Sequence, residues 1–418
     1  MEALHEKIKV IEQEYGSKGL LCTSAPGRAD FLNTHQDYKG LPVVPVAINL
    51  RTYMFVLGRD EKFFSVESLN LKNEGRVYRD KFPVNKPKLR RGRWFGNYFR
   101  GIVRAFNRKL GIYFPYGLKV VVISDVPVAS GLASSAALEV AFAHLLNVEY
   151  GLVLSVKDIA EVSFTAEHDE LKIPCGRLDQ YGSAYGGVIK LYTKPPFNVE
   201  KIPFKDLNLV VLDSGIRHAT VEIHPKRQQE INEGLKTLME NPRVPDHIKV
   251  KLGYRYDEPR WDELSLEELE PYLKEVNPVS AKRIKFTILM NTLTEVALKI
   301  MEGEDPFKLS ETLETFGIQL ASLKGKLDLL GAIINKQHEL LRDLYDVSLP
   351  KLEEIRERAL KAGALGVKIS GAGLGGSLIA LVPDEGIGRR VIKESMKAGA
   401  SRGFVVKVDE GVRVEPLS

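Results

Sequence analysis

The sequence predicts an α+β protein of two interlocked lobes. Strand-like and helix-like segments alternate through the first half of the chain, and helical patterns dominate after Pro225. The chain has 418 residues, of which 44% are hydrophobic and 28% are charged, so it can bury a large core. We expect the lobes to divide near Pro203–Asp206, giving an N-terminal lobe over residues 1–205 and a C-terminal lobe over residues 206–418.

In the first half, short runs rich in β-branched and apolar residues predict strands. One run with closely spaced Ala, Leu, Val and Phe predicts a buried helix at Ser135–Leu146. The strands are expected at Leu41–Leu50, Tyr53–Leu57, Leu118–Ile123, Val188–Tyr192 and Leu207–Leu212.

In the second half, the pattern predicts mainly helices. They are expected at Lys226–Met239, Ala281–Glu302, Asp305–Phe316, Leu329–Leu344 and Leu349–Ala362. Two further strands are expected at Ser377–Val382 and Gly403–Val408. The segment Asn241–Asn277 is highly charged and interrupted by prolines, so we expect a surface excursion with helical pieces. Its role as a lid, a dimer contact or solvated decoration is left open.

Composition excludes several classes of protein. The net charge of +5 is small for this length, which argues against a dedicated polyanion-binding protein. The longest uncharged stretch, Ile369–Pro383, has 15 residues, fewer than the roughly 20 of a membrane-spanning helix. The N-terminus lacks the continuous apolar core of a secretory signal. Two cysteines exclude a disulfide framework. We expect a cytoplasmic enzyme without membrane or nucleic-acid partners.

A glycine-containing turn at Pro127–Leu138 follows a predicted strand and opens a predicted helix. Gly131 lets a ligand approach the backbone, and the N–H groups of Ala133 to Ala136 would attract phosphate oxygens. Ser134 and Ser135 add hydroxyl groups for a phosphate or a metal ion. A tight turn with ordinary capping serines is the alternative. The P-loop pattern is absent, because no Gly-Lys-Ser/Thr follows.

Three segments together resemble the motifs of the GHMP kinases, the superfamily of galactokinase and of homoserine, mevalonate and phosphomevalonate kinases. The turn reads Pro-x-x-x-Gly-Leu-x-Ser-Ser-Ala and resembles the phosphate-binding motif, Ala25–Gly40 is similar to the galactokinase sugar signature, and Lys368–Ser377 is similar to the glycine-rich third motif. Shorter similar stretches are Trp94–Tyr98, Ala166–His168, Pro174–Gly176, Leu178–Gln180, Asp213–His218 and Leu340–Ser348. The order and spacing of the motifs also fit.

The resemblance implies a two-lobed GHMP kinase fold, with an N-terminal lobe like ribosomal protein S5, a C-terminal α+β lobe and an active site between them. It also implies transfer of a phosphoryl group from ATP, with Mg²⁺, to a sugar, at the anomeric hydroxyl. A monomer or a homodimer would be compatible. The alternatives are galactokinase proper and a non-catalytic sugar or ATP sensor. The sensor is disfavoured because the four residues with implied catalytic and metal-binding roles are all present: Arg28, Ser135, Glu167 and Asp179.

The resemblance assigns a role to each of these residues. Asp179 is the implied general base, and Arg28 would keep it ionised and stabilise the transferring phosphoryl group. A buried structural ion pair is the alternative. Glu167, twelve positions before Asp179, and Ser135 are the implied Mg²⁺ ligands, although Glu167 alone could be an exposed helix residue.

The implied ATP-binding residues come from the phosphate loop, the third motif and one tryptophan. They are Trp94, Gly131, Leu132, Ala133, Ser134, Ser135, Ala136 and Gly373. Trp94 lies in the basic run Lys86–Arg104, and the resemblance implies contact with the nucleotide base. The same run could bind nucleic acid or form a solvated basic helix face. Gly373 could simply belong to a tight turn.

The implied sugar-binding residues differ from those of galactokinase at two positions. They are Thr34, His35, Asp37, Gly176 and His224. Thr34 replaces the glutamate of Gly-Glu-His-x-Asp-Tyr that contacts the 6-hydroxyl of galactose, and His224 aligns, within about a residue, with a tyrosine. Asp37 would accept hydrogen bonds from ring hydroxyls. We therefore expect a galactose-like aldose altered at C5–C6, with a uronic acid as one candidate.

Overall fold

The chain folds into two compact units, and neither is continuous in sequence. A computed structural model describes residues 2–92, 94–128, 130–217 and 223–417. Unit 1 comprises Met1–Arg28, Val46–Gly187 and Asp409–Ser418, whereas unit 2 comprises Ala29–Pro45 and Val188–Val408. This division differs from the predicted single boundary between residues 205 and 206. Two long N-terminal strands each run through a unit boundary, and the chain returns to unit 1 after Val408.

The strands lie mainly in the first half of the chain and near its C-terminus. They are β1 (Leu21–Leu32), β2 (Val44–Asp60), β3 (Phe63–Ser68), β4 (Arg79–Pro83), β5 (Gly117–Ser124), β6 (Val188–Leu191), β7 (Val199–Ile202), β8 (Asn208–Asp213), β9 (Gly366–Ser370), β10 (Ser377–Val382), β11 (Arg402–Lys407) and β12 (Arg413–Val414).

The α-helices are concentrated in the second half. They are α1 (Glu2–Tyr15), α2 (Leu69–Asn73), α3 (Gly96–Lys109), α4 (Ser134–Glu149), α5 (Val156–Phe164), α6 (Leu178–Tyr185), α7 (Ile223–Glu240), α8 (Asp246–Lys249), α9 (Leu266–Leu273), α10 (Pro278–Glu302), α11 (Ser310–Thr315), α12 (Lys326–Asp343), α13 (Pro350–Lys361) and α14 (Glu385–Lys397). Short 3₁₀ turns lie at Asp37–Lys39, Trp261–Glu263, Pro306–Leu309 and Leu320–Ser322, and a π-helical turn lies at Thr165–Glu170.

In unit 1, the strands pair in the order β12–β1–β2–β5–β3–β4. β2 is antiparallel to β5, whereas β3 is parallel to β5. Helix α4, which the alanine-rich run predicts, packs against α3, α5 and α6. Apolar residues of α1 cover part of the sheet, with Ile11 fully buried against Phe55 and its neighbours. The sheet and these helices form the core that holds β1 and the start of α4 in place.

The strands predicted at Leu41–Leu50 and Tyr53–Leu57 are one continuous strand, β2, which begins at Val44. The prediction separates them at a polar residue, Arg51. In the structure this arginine is buried, and its Nη1 donates a hydrogen bond to the Asp409 carboxylate at 2.8 Å. Because the charge is paired inside the unit, the strand continues through it.

In unit 2, the strands β11–β8–β10–β9 form an antiparallel sheet. Helix α12 packs on β9 at a close approach that requires glycine, since a Cβ on Gly366 would lie 2.2 Å from the carbonyl oxygen of Gly331. Helix α10 packs against α7 and α12. The predicted helices are confirmed, except that Asp305–Phe316 divides into a 3₁₀ turn and the short helix α11.

The segment Asn241–Asn277 is a packed part of unit 2, so the expected surface excursion is wrong. The predicted helical pieces are confirmed as α8, a 3₁₀ turn and α9. Trp261 is only 2% exposed, and its indole Nε1 donates to the Tyr256 carbonyl at 2.9 Å. Its apolar residues join α7 and α10 in one buried cluster that includes Leu235, Leu238, Ile248, Trp261, Leu269, Leu273 and Ile284. The sequence pattern does not indicate this core, because its apolar residues follow no single helical period and lie among charged residues and prolines.

Within the described residues, none of the helices combines the length and the apolarity needed to cross a lipid bilayer.

Candidate active site

Arg28 and Asp179 form a partly buried ion pair in unit 1. Arg28 lies on β1, and Asp179 lies in the first turn of α6. Arg28 donates from Nε and from Nη2 to the same oxygen, Asp179 Oδ1, at 3.0 and 2.6 Å. The arginine side chain is 9% exposed and the aspartate side chain 29%. The fold therefore brings together the two residues that we expect to be catalytic, although 151 positions separate them.

The predicted phosphate loop contacts the same arginine. Arg28 Nη1 donates to the Gly131 carbonyl at 2.6 Å, and the Arg28 backbone N–H donates to the Leu132 carbonyl at 3.1 Å. Gly131 and Ala133 adopt positive φ angles of 74° and 57°, which turn the chain sharply into α4. Ser134, Ser135 and Ala136 are the first residues of that helix, where backbone N–H groups lack intrahelical acceptors. The loop thus offers N–H donors next to Arg28.

Two residues of the quoted motifs, Ala129 in the phosphate loop and His218 at the end of the stretch Asp213–His218, lie outside the described residues.

Glu167 is a buried carboxyl group and not the exposed helix residue that the sequence alone leaves open. It lies in the π-helical turn after α5 and is 5% exposed. Gln180 Nε2 donates to its Oε2 at 2.6 Å. Burial and the negative charge of Asp179 raise the pKa of Glu167 to about 7, and hydrogen bonding with Ser135 opposes this shift. Ser135, Glu167 and Asp179 therefore interact electrostatically within unit 1.

Glu139 is a second buried carboxyl group, which the sequence analysis misses. It lies in α4 with no exposed surface, and neither of its carboxylate oxygens has a hydrogen-bond partner among the described residues. Burial raises the pKa of Glu139 well above its usual range, and the negative charge of Glu167 adds to that shift. The available signal was a single carboxylate inside the apolar run of α4.

Trp94 and Gly176 also belong to unit 1. Trp94 lies just before α3, and the Arg90 guanidinium carbon lies 4.7 Å from its ring centroid. Gly176 is exposed in the loop that leads to α6. The contacts of these two residues do not test whether Trp94 binds ATP or Gly176 binds the sugar, so both roles stay predictions.

Residues 29–40 of the sugar signature lie in unit 2. Two of them, His35 and Tyr38, form a ring cluster with His224 and Tyr345, which we call the His35 cluster. The His224 ring centroid lies 5.2 Å from that of His35 and 5.2 Å from that of Tyr38. The hydroxyl groups of Tyr38 and Tyr345 are hydrogen-bonded. His224 thus lies beside the signature, although 189 positions separate it from His35. Tyr345 is a member that the sequence analysis does not single out.

Burial disfavours the charged form of both histidines of the His35 cluster. Burial lowers the pKa of His35 well below its usual range, and His224 and Lys39 lower it further. Burial also lowers the pKa of His224, with Lys39 adding to the shift. His35 Nε2 lies 2.9 Å from the Ala372 carbonyl oxygen, which assigns the single ring proton of the neutral form to Nε2.

The other predicted residues of unit 2 lie close to the signature or to the third motif. Asp37 begins the 3₁₀ turn Asp37–Lys39. Gly373 has a φ of 81°, and a Cβ there would lie 2.5 Å from the Val347 carbonyl oxygen, so this loop requires glycine. Thr34 is 2% exposed and hydrogen-bonds to Lys368 Nζ at 2.8 Å, a contact that the sequence analysis does not anticipate.

Comparisons with known proteins identify the family to which the chain belongs. The model of the GHMP kinases N terminal domain matches residues 97–187, and that of the GHMP kinases C terminal matches residues 318–397. The galactokinase galactose-binding signature matches residues 12–57.

Curated relatives are galactokinases that align over most of their length. The galactokinase of Clostridium beijerinckii is 25% identical over 93% of this chain and 93% of its own length. That of Thermococcus kodakarensis is 27% identical over 93% of this chain and 99% of its own length. That of Thermotoga petrophila is 28% identical over 91% of this chain and 94% of its own length.

Solved structures share the fold. Lactococcus lactis galactokinase complexed with galactose aligns with a TM-score of 0.74 and 22% identity, covering 98% of this chain and 99% of its own. Methanococcus jannaschii mevalonate kinase aligns with a TM-score of 0.63 and 18% identity, covering 95% and 100%. The chain therefore belongs to the GHMP kinase superfamily. Within that superfamily it is a galactokinase-like sugar kinase.

Proposed function

We propose that this protein transfers the γ-phosphoryl group of ATP to the anomeric hydroxyl of galactose or of a galactose-like sugar altered at C6, such as a uronic acid. The observation that carries the proposal is the Arg28–Asp179 ion pair held against the phosphate-loop carbonyl of Gly131. The galactokinase relatives support a galactose-like acceptor. Galactokinase activity on unmodified galactose is the alternative.

Asp179 is proposed as the general base. Both hydrogen bonds from Arg28 reach Oδ1, and no hydrogen bond to Oδ2 is found among the described residues. Oδ2 is therefore available to accept the proton of the sugar hydroxyl while the new O–P bond forms and the bond between the γ-phosphorus and the ADP oxygen breaks. The two hydrogen bonds from Arg28 hold the carboxylate in one orientation for this step.

The loop before α4 is proposed to hold the phosphates. Its N–H donors and the positive end of the helix dipole favour phosphate oxygens, and no acidic residue lies in the first turn to oppose them. Because Arg28 binds both this loop and Asp179, the guanidinium is close to the base and to the phosphate site. It is therefore positioned to stabilise the charge that develops on the transferring group.

The residues proposed to hold Mg²⁺, Ser135 and Glu167, fit that ion. Glu167 is buried near Glu139, and burial raises the pKa of both carboxyl groups, so a bound cation would favour their ionised forms. Among the described residues no cluster of three or more His, Cys, Asp or Glu side chains is arranged to hold a metal, so phosphates and water would complete the ligands. Bound there, Mg²⁺ would neutralise phosphate charge.

A coupled ADP-release assay tests the proposal. Wild-type protein is incubated with ATP, Mg²⁺ and one sugar from a panel of galactose, galacturonate, glucuronate, fucose, N-acetylgalactosamine and glucose. We expect turnover of one galactose-configured sugar. The site of phosphorylation on the product, identified by ³¹P and ¹H NMR, should be C1. ATP binding without turnover of any of these sugars would contradict the proposal and favour a sensor.

The metal requirement is tested separately. Glu167→Gln should raise the Mg²⁺ concentration needed for half-maximal turnover, and it should weaken Mn²⁺ binding in the presence of an ATP analogue, measured by electron paramagnetic resonance. Glu170→Gln, three residues further along the same π-helical turn, is the matched control. Equal Mn²⁺ affinity in the wild type and Glu167→Gln would exclude Glu167 as a ligand.

A further inference from the structure

We infer that Thr34 and Lys368 form a specificity site that binds a carboxylate of the substrate, so that the preferred acceptor is a uronic acid and not a neutral hexose. The inference rests on the proposed function and on the contact between Thr34 and the C6 substituent that the sequence resemblance implies. It goes further because it assigns a residue of the third motif, Lys368, to substrate selection and commits to one chemical class of substrate.

Lys368 fixes the direction of the hydrogen bond that Thr34 makes. Lys368 lies on β9 with no exposed surface, and its Nζ donates to Thr34 Oγ1 at 2.8 Å and to the Asp30 carbonyl at 3.1 Å. An ammonium group has donors only, so the Thr34 oxygen must accept. The Thr34 hydroxyl hydrogen is then left to donate, and no acceptor for it is found among the described residues.

The group that bonds the Thr34 hydroxyl, the Lys368 ammonium group, carries a positive charge. Burial lowers the pKa of Lys368 to about 8, and the Asp30 carboxylate opposes that shift, so the lysine is mostly protonated at pH 7. Asp30 makes no hydrogen bond to Lys368 through its carboxylate. Its Oδ2 instead accepts from the Gly371 backbone N–H at 3.2 Å, and its Oδ1 is buried without a partner. No carboxylate of the described residues is therefore bonded directly to the ammonium group.

The backbone holds Thr34 in a defined orientation. Its two neighbours, Asn33 and His35, adopt positive φ angles of 64° and 66°, which is costly for residues other than glycine. Asn33 Nδ2 donates to the Pro42 carbonyl at 2.6 Å and to Asn291 Oδ1 at 3.0 Å, which stabilises the strained turn. A strained segment held by buried amide contacts is typical of a residue that is pre-organised for a ligand.

A carboxylate is the group that this arrangement binds best. The oxygens of a carboxylate only accept hydrogen bonds, which matches the donor polarity of Thr34, and the hydrogen bond is strengthened by the negative charge. The nearby ammonium group adds electrostatic attraction in a buried site. A neutral 6-hydroxyl can exchange a hydrogen bond with the Thr34 hydroxyl as well, but it carries no charge for the ammonium group to attract.

Equilibrium binding tests the inference without relying on catalysis. The affinities for galacturonate and galactose are measured by calorimetry, with Mg²⁺ and an ATP analogue whose γ-phosphoryl group cannot be transferred. Because a hydrogen bond to a charged group is stronger than one to a neutral group, we expect wild type to prefer galacturonate by about tenfold or more. Thr34→Val, which keeps the shape and removes the hydroxyl, should reduce this preference about tenfold.

Matched variants separate this role from a structural one. Thr292→Val removes a hydroxyl that only bonds the Ile288 carbonyl of its own helix, and it should leave the preference unchanged. Lys368→Met should abolish the preference, whereas Lys368→Arg should retain most of it. If Lys368→Met does not fold, Thr34→Val decides the matter alone. A wild type that binds galactose as tightly as galacturonate, or an unchanged preference in Thr34→Val, would overturn the inference.

The outcome is distinguishable from failure of the proposed function. Turnover of a neutral sugar with no preference for the carboxylate overturns the inference and leaves the kinase intact. A binding preference for galacturonate without any ADP release retains the carboxylate site and contradicts the kinase. Binding of neither sugar overturns the inference, and it contradicts the kinase as well when no sugar of the ADP-release panel turns over.

Discussion

Arg28 directs two of its nitrogen atoms at a single oxygen of Asp179, and a third at the carbonyl oxygen of Gly131. One side chain therefore connects the proposed base to the proposed phosphate loop. This geometry also leaves Asp179 Oδ2 without a hydrogen bond from any described residue. We therefore expect substitutions at the two ends of the pair to have different kinetic effects.

Asp179→Asn should reduce kcat by about 10²- to 10⁴-fold, because the amide cannot accept the proton of the sugar hydroxyl. Binding of ATP should change little, since Asp179 does not belong to the phosphate loop. The measurements are ADP release and calorimetric titration with ATP. Asp169→Asn, an exposed aspartate ten positions earlier, is the control and should keep wild-type kcat. A variant with unchanged kcat would exclude Asp179 as the base.

Arg28→Lys should reduce kcat by about 10²-fold and change the KM for sugar much less. Lysine keeps the positive charge but cannot contact Asp179 and Gly131 at the same time, because it lacks the planar fork of a guanidinium. Steady-state kinetics would check this. An equal loss in Arg28→Lys and Arg28→Met would indicate that the fork matters more than the charge, and a fully active Arg28→Lys would contradict the geometric argument.

Protonation of the Asp213 carboxylate at acidic pH should make unit 2 less stable. Burial alone would raise its pKa, but hydrogen bonds from Arg217, the Gly215 backbone N–H and Arg402 outweigh burial and lower it from 3.8 to about 2. A carboxylate with a lowered pKa in the folded state stabilises the protein above about pH 4 and loses that contribution as the pH falls towards 2. The contribution is about 2 kcal/mol.

The variant Asp213→Asn checks this prediction. Its free energy of unfolding in urea should be lower than that of the wild type at pH 6, and the gap should narrow as the pH falls to 2. Asp206→Asn, an exposed aspartate just before the same strand, should follow the wild-type pH dependence. A gap of constant size across this range would mean that the lowered pKa is not the source of the effect.

Trp261→Ala should destabilise the protein by about 3–5 kcal/mol, because it opens a cavity in the buried cluster of the segment Asn241–Asn277. It also removes the donor that bonds the Tyr256 carbonyl. Urea unfolding followed by circular dichroism measures the change. Val250→Ala, at a position 67% exposed in the same segment, should stay within about 0.5 kcal/mol of wild type. A change of less than about 0.5 kcal/mol in the free energy of unfolding of Trp261→Ala would favour a segment that lies on the surface.

Local sequence signals predicted most of the regular structure. The alanine-rich run at Ser135–Leu146 gave α4, and the apolar spacing at Ala281–Glu302 gave α10, because each element satisfies its own backbone hydrogen bonds. The prediction of β2 as two strands failed because the partner of buried Arg51, Asp409, lies 358 positions away. The segment Asn241–Asn277 was misjudged because its charges are adjacent in sequence whereas its apolar contacts are distant.

The sequence by itself determined the family, the order of the three motifs and the identity of the residues with implied catalytic roles, because motif chemistry is local and short glycine and serine patterns carry it. Only the tertiary structure decided which of those residues meet. It pairs Arg28 with Asp179 and buries Glu139 near Glu167. It also brings the ring of His224 into contact with that of His35 and bonds Lys368 to Thr34. Such contacts depend on packing between elements distant along the chain, which residue spacing does not encode.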